Sequence, residues 1–285
     1  VQEGANNNSP YSPQTLTLPC EVAGQFYPQR DVDWYSFDAK KDDVWAFDVT
    51  SHRLGIPTDP ALLIQRVFAD DKGQPQITDV VFIDDLPDQN FNNRAGRHEF
   101  DERSSDPSYL FKAPADGTYR VLVKDSTSAV KSDPRLVYRL AIRKPQPDFR
   151  IVAVPGESTG SMMLRKGGRD VVRVIAYRQD GFDGEIRVSG SGLPEGVTTE
   201  DILIGPGNSF GKLIVSATDA APAAVGTIHV SSKAVIAGAE VSRTARFGVG
   251  LSPYQFNQPN SILPSVQSRL VDRIQVCVSE QEPAP

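Results

Sequence analysis

A chain of 285 residues has room for two domains of ordinary size, and 39% hydrophobic with 23% charged residues is the composition of packed cores, not of a disordered chain. Its formal charge is −6 and no Lys/Arg cluster is present, so it lacks the electrostatic footprint that a phosphate backbone requires; nucleic acid is not expected as a partner. No apolar run approaches the ~20 residues that a membrane-spanning helix needs.

The 22 Gly and 22 Pro punctuate short Val- and Ile-rich runs, which predicts an all-β chain with many turns and no long helix. The opening residues lack the charged-then-apolar pattern of a signal peptide, so the chain is expected to be processed or cut from something longer. In LTLPCEV, Cys20 alternates in phase with Leu16, Leu18 and Val22, which predicts the buried face of a strand.

The stretch RDVDWYSFDAKKDDVWAFDVT, residues 30–50, interleaves aspartates with five aromatics. Trp34 is in phase with Val32, and Tyr35 with Phe37 and Asp33. After the KKDD tip, Trp45, Phe47 and Val49 share a face. The pattern predicts a hairpin of two amphipathic strands with Asp38, Asp42, Asp43 and Asp48 on its solvent side. Asp33 is the exception, because it precedes two aromatics on their own face.

Further on, Tyr119, Val121 and Val123 share one face of a strand over 118–124, and Leu136, Tyr138, Leu140 and Ile142 one face of a strand over 135–143. The polar connection VKDSTSAVKSDP suits antiparallel neighbours. RKPQPDF, residues 143–149, is the best domain boundary, since its prolines cannot donate ladder hydrogen bonds and a fresh strand, FRIVAV, follows. Strands are then expected over 170–178, 185–189, 202–204, 212–217, 226–232 and 241–249, the spacing of an immunoglobulin-like sandwich without its Cys…Trp…Cys signature. The predicted organisation is a first β-sandwich over 1–146, a second over 147–250, and an extension over 251–285. In that extension a last strand at 269–279 either closes the second sandwich or starts a third unit, and the terminal EQEPAP reads as a linker to a further domain. Cys277 falls on the outer face of that strand, and pairing between Cys20 and Cys277 is left open.

Catalytic motifs fail on their context. Gly156-Glu-Ser-Thr-Gly160 matches the G-x-S-x-G of a nucleophile elbow, but SMMLRKGGRD after it carries no helical stripe, so a turn is expected. GPGNSFGKL, residues 205–213, has the wrong glycine spacing for a phosphate loop and Leu213 where a hydroxyl is needed; it reads as a hairpin connection. His52, His98 and His229 show no metal-ligand spacing. Acidic groups remain. Ca²⁺ takes six to eight hard oxygens, commonly Asp, Asn and carbonyls on turns. Asp84, Asp85 and Asp88, with Asn6 and Asn7, have that chemistry, and solvated loop carboxylates are the alternative.

GQFYPQRDVDWYSFDAKKDDVWAFDV, followed by RLGIPTDPALLI, YLFKAPADGTYRVLVKD and YRLAI, resembles the bacterial pre-peptidase C-terminal domain over about residues 1–145. GFDGEIRVSGSGLPEGV is similar to the Ig-like units found beside it. The resemblance implies two antiparallel β-sandwiches, the first of the collagen-binding-like jelly-roll type, in a non-catalytic accessory role. It also implies Ca²⁺ held by an acidic N-terminal segment and by an Asp before the Tyr-x-Phe strand. Asp33 matches that Asp, whereas Gln2-Glu-Gly-Ala-Asn-Asn7 is short of carboxylates and Arg30 stands where a second acid is expected.

The expected function is therefore that of a non-enzymatic module of a secreted or cell-surface protein, with no cofactor required and calcium an optional ion. It would bind an extracellular polysaccharide or protein, or orient a neighbouring domain. A structural stalk or assembly subunit is the rival, and a carboxylate-dependent hydrolase a second one.

Overall fold

The structure is a computed structural model and describes residues 1–85, 104–156, 160–250 and 268–280. The chain divides into two compact units, with the break after Gln146.

The first unit holds β1 (Gln14–Thr15), β2 (Cys20–Gln25), β3 (Val32–Ala39), β4 (Val44–Thr50), β5 (Pro60–Ala69), β6 (Pro75–Ile83), β7 (Ser108–Lys112), β8 (Gly117–Asp125) and β9 (Val137–Arg143). One sheet runs β1-β3-β8-β5-β6 and the other β2-β9-β4-β7. Both contribute their apolar faces to a single aromatic core. Tyr35, Phe37, Phe47, Phe111 and Tyr119 are all buried there. Phe37 meets Tyr119 of its own sheet and Phe47 of the opposite sheet at the same ring separation, 5.6 Å. Each buried aromatic contributes about 1.5–3 kcal/mol by removing apolar surface from water.

The expected hairpin over residues 30–50 does not form. β3 pairs with β1 and β8, and β4 with β7 and β9, so the two strands lie in opposite sheets. The link between them turns on itself through Lys40 N–H donating to Asp43 Oδ2 and Asp43 N–H to Lys40 O. Asp42, in the left-handed region at φ 69°, then donates its N–H to Ala113 O. The connection VKDSTSAVKSDP is corrected in the same way: β8 and β9 are not neighbours but face each other across the core. Alternation identifies a strand's apolar face. Two apolar faces can share a core from one sheet or from opposite sheets, and here the second arrangement holds.

The second unit holds β10 (Asp148–Pro155), β11 (Ser161–Arg165), β12 (Arg169–Gln179), β13 (Ile186–Ser191), β14 (Val197–Thr199), β15 (Ile202–Ile204), β16 (Phe210–Ala217), β17 (Ala224–Ile236), β18 (Ala239–Thr244), β19 (Arg246–Gly250), β20 (Ser268–Val271) and β21 (Ile274–Ser279). Its sheets run β14-β16-β12-β10-β19-β20 and β11-β21-β17-β13-β15, with β18 also on β17. Phe149, Val174, Ile186, Leu213, Val230, Phe247 and Val276 form the core between them. The single strand expected over 241–249 is broken at buried Ala245, whose N–H donates to Val230 O, and its halves enter different sheets. The last predicted strand divides likewise: β20 and β21 join one sheet each, and both belong to the second sandwich.

GPGNSFG is not a hairpin connection either, because β15 and β16 lie in opposite sheets. Arg178 holds this crossing. Its Nη1 donates to Gly184 O at 2.6 Å and its Nη2 to Gly205 O at 2.8 Å, so one planar guanidinium ties two turns together. Asp183 Oδ1 accepts from Gly207 N–H at 2.7 Å beside it.

Candidate metal centre

The N-terminal segment is laced onto both sheets of the first unit. Ala23 N–H donates to Val1 O and Glu3 N–H to Ala23 O, which lays the first residues along β2. Gly4 N–H then donates to Gln14 Oε1 at 2.7 Å, and Trp34 N–H to Asn7 O at 2.8 Å, before β1 adds in parallel to β3 of the other sheet. Glu3 and Asn7 lie along this crossing. Asp31 and Asp33 come from the start of β3, after Arg30 has turned the chain at a left-handed φ of 64°.

Glu3, Asp31 and Asp33 each bring a carboxylate oxygen within 4.8 Å of the other two. Asp31 is 3% exposed, and Asp33 and Asn7 are as deeply buried. Their partners are neutral donors. Glu3 Oε2 accepts from Gln25 N–H at 2.7 Å, while Asp31 accepts from Tyr27 N–H at 3.2 Å and from Asn8 Nδ2 at 2.9 Å. Tyr138 donates its hydroxyl to Asp33 Oδ2 at 2.7 Å and lies 2.5 Å from the Tyr35 hydroxyl. Asp33 Oδ1 and both polar atoms of the Asn7 amide are buried without a partner. None of the three acids forms an ion pair among the described residues.

Removing such groups from water penalises their charged forms. Burial pushes Asp31 up to about 6, with the Glu3 charge adding to the effect. Asp33 is pushed up to about 8, first by burial and then by the neighbouring charges of Glu3 and Asp31, against the opposing Tyr138 hydrogen bond. A cluster of this kind lacks positive charge. Its donors are all oxygen, and separations up to 4.8 Å are spanned by one ion with bonds of ~2.4 Å, the length Ca²⁺ takes to oxygen. Asp33 Oδ1 is buried with no hydrogen-bond partner and is therefore open to an ion. The residues fit a hard divalent cation.

The sequence-predicted ligands separate. Asp33 is in the cluster, and the Asn7 backbone carbonyl accepts from Trp34 N–H on the same strand. Asn6 is exposed, its carbonyl accepting from Ser12 Oγ, and Asp84 and Asp85 lie after β6, where Ser126 Oγ donates to Asp84. Asp88 lies outside the described residues. Glu3 and Asp31 were not among the predicted ligands. The second acid comes from Asp31, one position beyond the Arg30 that stands at the expected place. The signal for it was present, since Asp31 alternates with Asp33 and Tyr35 on one face.

The catalytic motifs stay apart from this site. A strand, β11, follows Gly156–Gly160 where an elbow needs a helix, and residues 157–159 between them lie outside the described set, as does His98. Cys20 and Cys277 are free thiols.

No protein-family model matches the chain, and no curated protein does. Among solved structures, the pre-peptidase C-terminal domain of a collagenase from Bacillus anthracis aligns at 12% identity with a TM-score of 0.32, over 48% of this chain and 100% of that one. Domains 4 and 5 of the S-layer protein SbsC align at 16% identity with a TM-score of 0.26, over 65% of this chain and 96% of that one. The first of these is of the family that residues 1–145 resemble. Scores of this size say nothing about a ligand or a partner.

Proposed function

We propose that the chain is a non-catalytic accessory module of a secreted or cell-surface protein, whose first sandwich is completed by a Ca²⁺-class cation on Glu3, Asp31 and Asp33. With that end locked, the module binds an extracellular polysaccharide or protein, or orients a neighbouring domain. The observation that carries the reading is the all-oxygen, uncompensated cluster, buried at Asp31 and Asp33 and half-buried at Glu3, that joins the N-terminal segment to β3. Donors from positions far apart in sequence would be fixed by one ion, and the bound ion would supply the positive charge that the cluster lacks. A hydrolase is disfavoured by the same burial, because catalytic carboxylates must reach a substrate and Asp31 and Asp33 face the interior.

Thermal unfolding in chelator and in millimolar Ca²⁺ tests the site. An ion at a hundred times its Kd stabilises by about 2.7 kcal/mol, a rise of several degrees. An unchanged melting temperature, with no binding heat, refutes it. Co-sedimentation with insoluble polysaccharides and collagen then separates a binding module from the stalk reading, which predicts no retention on any of them. Turnover of substrate by the isolated chain would overthrow both.

A further inference from the structure

β3 carries the acid cluster where it begins and a cavity where it ends, roughly 17 Å away from Asp33 to Asp38 at ~3.4 Å per residue. The cavity holds about 420 Å³ and is lined by Asp38, Ala39, Lys40, Asp43, Gly117 and Thr118. Small-molecule sites occupy about 300–1,000 Å³, so it is large enough for one sugar ring with its substituents. Each acid of the lining is engaged through one oxygen. Asp38 Oδ1 accepts from Thr118 Oγ1 at 2.7 Å, and Asp43 Oδ2 from Lys40 N–H at 2.9 Å. Among the described residues no donor reaches Asp38 Oδ2 or Asp43 Oδ1. The Lys40 ammonium shares this lining, yet it forms no ion pair with either acid among the described residues. Two carboxylates against one ammonium leave the cavity with an excess of negative charge.

We propose that this cavity binds an amino sugar, one unit of a polysaccharide that carries free amines, with the sugar ammonium between Asp38 Oδ2 and Asp43 Oδ1. The polymer in this inference rests on the polysaccharide arm of the function proposed above; the cation site, at the other end of β3, is not needed for it. The spare carboxylate oxygens only accept, and an ammonium, with three hydrogens and one positive charge, satisfies both and balances the excess. The remaining groups suit hydroxyls. Lys40 only donates, and Thr118, whose hydrogen goes to Asp38, keeps lone pairs that accept. Buried Ala39 and side-chain-free Gly117 supply the apolar surface against which ring C–H groups rest. An uncharged sugar leaves the excess charge unbalanced, and an N-acetyl group replaces the ammonium by a neutral amide.

Calorimetric titration of the full chain with soluble hexamers of glucosamine, N-acetylglucosamine and glucose tests this, at a pH above the ~4 of an aspartate and below the pKa of the sugar amine. The glucosamine hexamer is expected to bind at least tenfold more tightly than the other two. Asp38→Asn and Asp43→Asn, which keep an oxygen for the Thr118 and Lys40 hydrogen bonds, are each expected to weaken it at least tenfold. Asp201→Asn, an exposed acid of the second unit, is expected to bind as wild type does. Equal affinity for the three hexamers overturns the inference, as do Asp38→Asn and Asp43→Asn proteins that bind like wild type. A loss in Asp201→Asn as large as that in Asp38→Asn also overturns it, because the attraction is then the general one between a polycation and an acidic chain. Should Asp43→Asn fail to fold, exposed Asp38 decides alone. Retention on collagen with no hexamer bound overturns the inference and leaves the accessory-module reading standing, whereas no retention on any polymer removes both the inference and the binding arm of that reading.

Discussion

Tyr138 lies across Gly24, its cross-strand partner on β2, so closely that a Cβ at position 24 would stand 2.4 Å from Cζ and 2.5 Å from the hydroxyl. The bare backbone lets the ring settle, stacked at 4.7 Å on Phe26, with its hydroxyl on Asp33. Gly24→Ala is therefore expected to destabilise the first unit by about 1–3 kcal/mol, the usual cost of overpacking. It should also weaken any Ca²⁺ response, because the displaced ring releases Asp33. Urea unfolding with and without Ca²⁺ measures both, and wild-type values in each would show that the close approach is unimportant.

The acid cluster gives the cation-free protein an unusual pH dependence. Asp33 at about 8 and Asp31 at about 6 both stand above the ~4 of an unfolded aspartate, so the native state holds these protons more tightly than the unfolded chain does. Their contribution to stability is complete below ~4 and is lost as pH rises through 6 and 8. In chelator the melting temperature should fall between pH 5 and pH 9, and Asp33→Asn should flatten most of that fall. With saturating Ca²⁺ the trend reverses, since protons now compete with the ion. A chelated protein with the same slope as Asp33→Asn contradicts the assignment.

Asp106 gathers the turn after β4. Its Oδ1 accepts from Ser51 N–H at 2.9 Å and His52 N–H at 2.7 Å, and its Oδ2 from Arg53 N–H at 2.8 Å and Arg53 Nε at 2.9 Å. Asp106→Ala removes a fully buried carboxylate and leaves these donors without their acceptor. A loss of about 3 kcal/mol in chemical denaturation is expected, from several unmade bonds at about 1–3 kcal/mol each. A loss under about 1 kcal/mol would mean that water reaches the turn.

Arg178→Lys tests the clasp of the second unit. An ammonium can meet one carbonyl but cannot fork between Gly184 O and Gly205 O, and a change of about 1–2 kcal/mol is expected. Hydrogen exchange should accelerate at Phe182–Gly184 and Gly205–Asn208, with the core strands β12 and β17 unchanged. Uniform acceleration throughout the unit would indicate a global effect and no clasp.

Sequence alone determined which side chains face inward. Tyr119, Val121 and Val123 on β8, and Tyr138, Leu140 and Ile142 on β9, are buried as their alternation requires, because the two-residue period belongs to each strand's own backbone. It also singled out Asp33, a carboxylate in phase with Tyr35 and Phe37. Pairing was beyond it. Whether β4 follows β3 within one sheet or faces it across the core depends on the direction of a short link, and both choices bury the same faces. The cluster was half legible for a related reason. Asp31 and Asp33 stand two positions apart at the start of β3, whereas Glu3 and the Asn7 backbone come beside them only because hydrogen bonds with Ala23 and Trp34 hold the N-terminal segment in place. Local pattern decides the face of a strand; the partners that gather a site are chosen by contacts between residues remote in the chain, and those exist only once the sheets have packed.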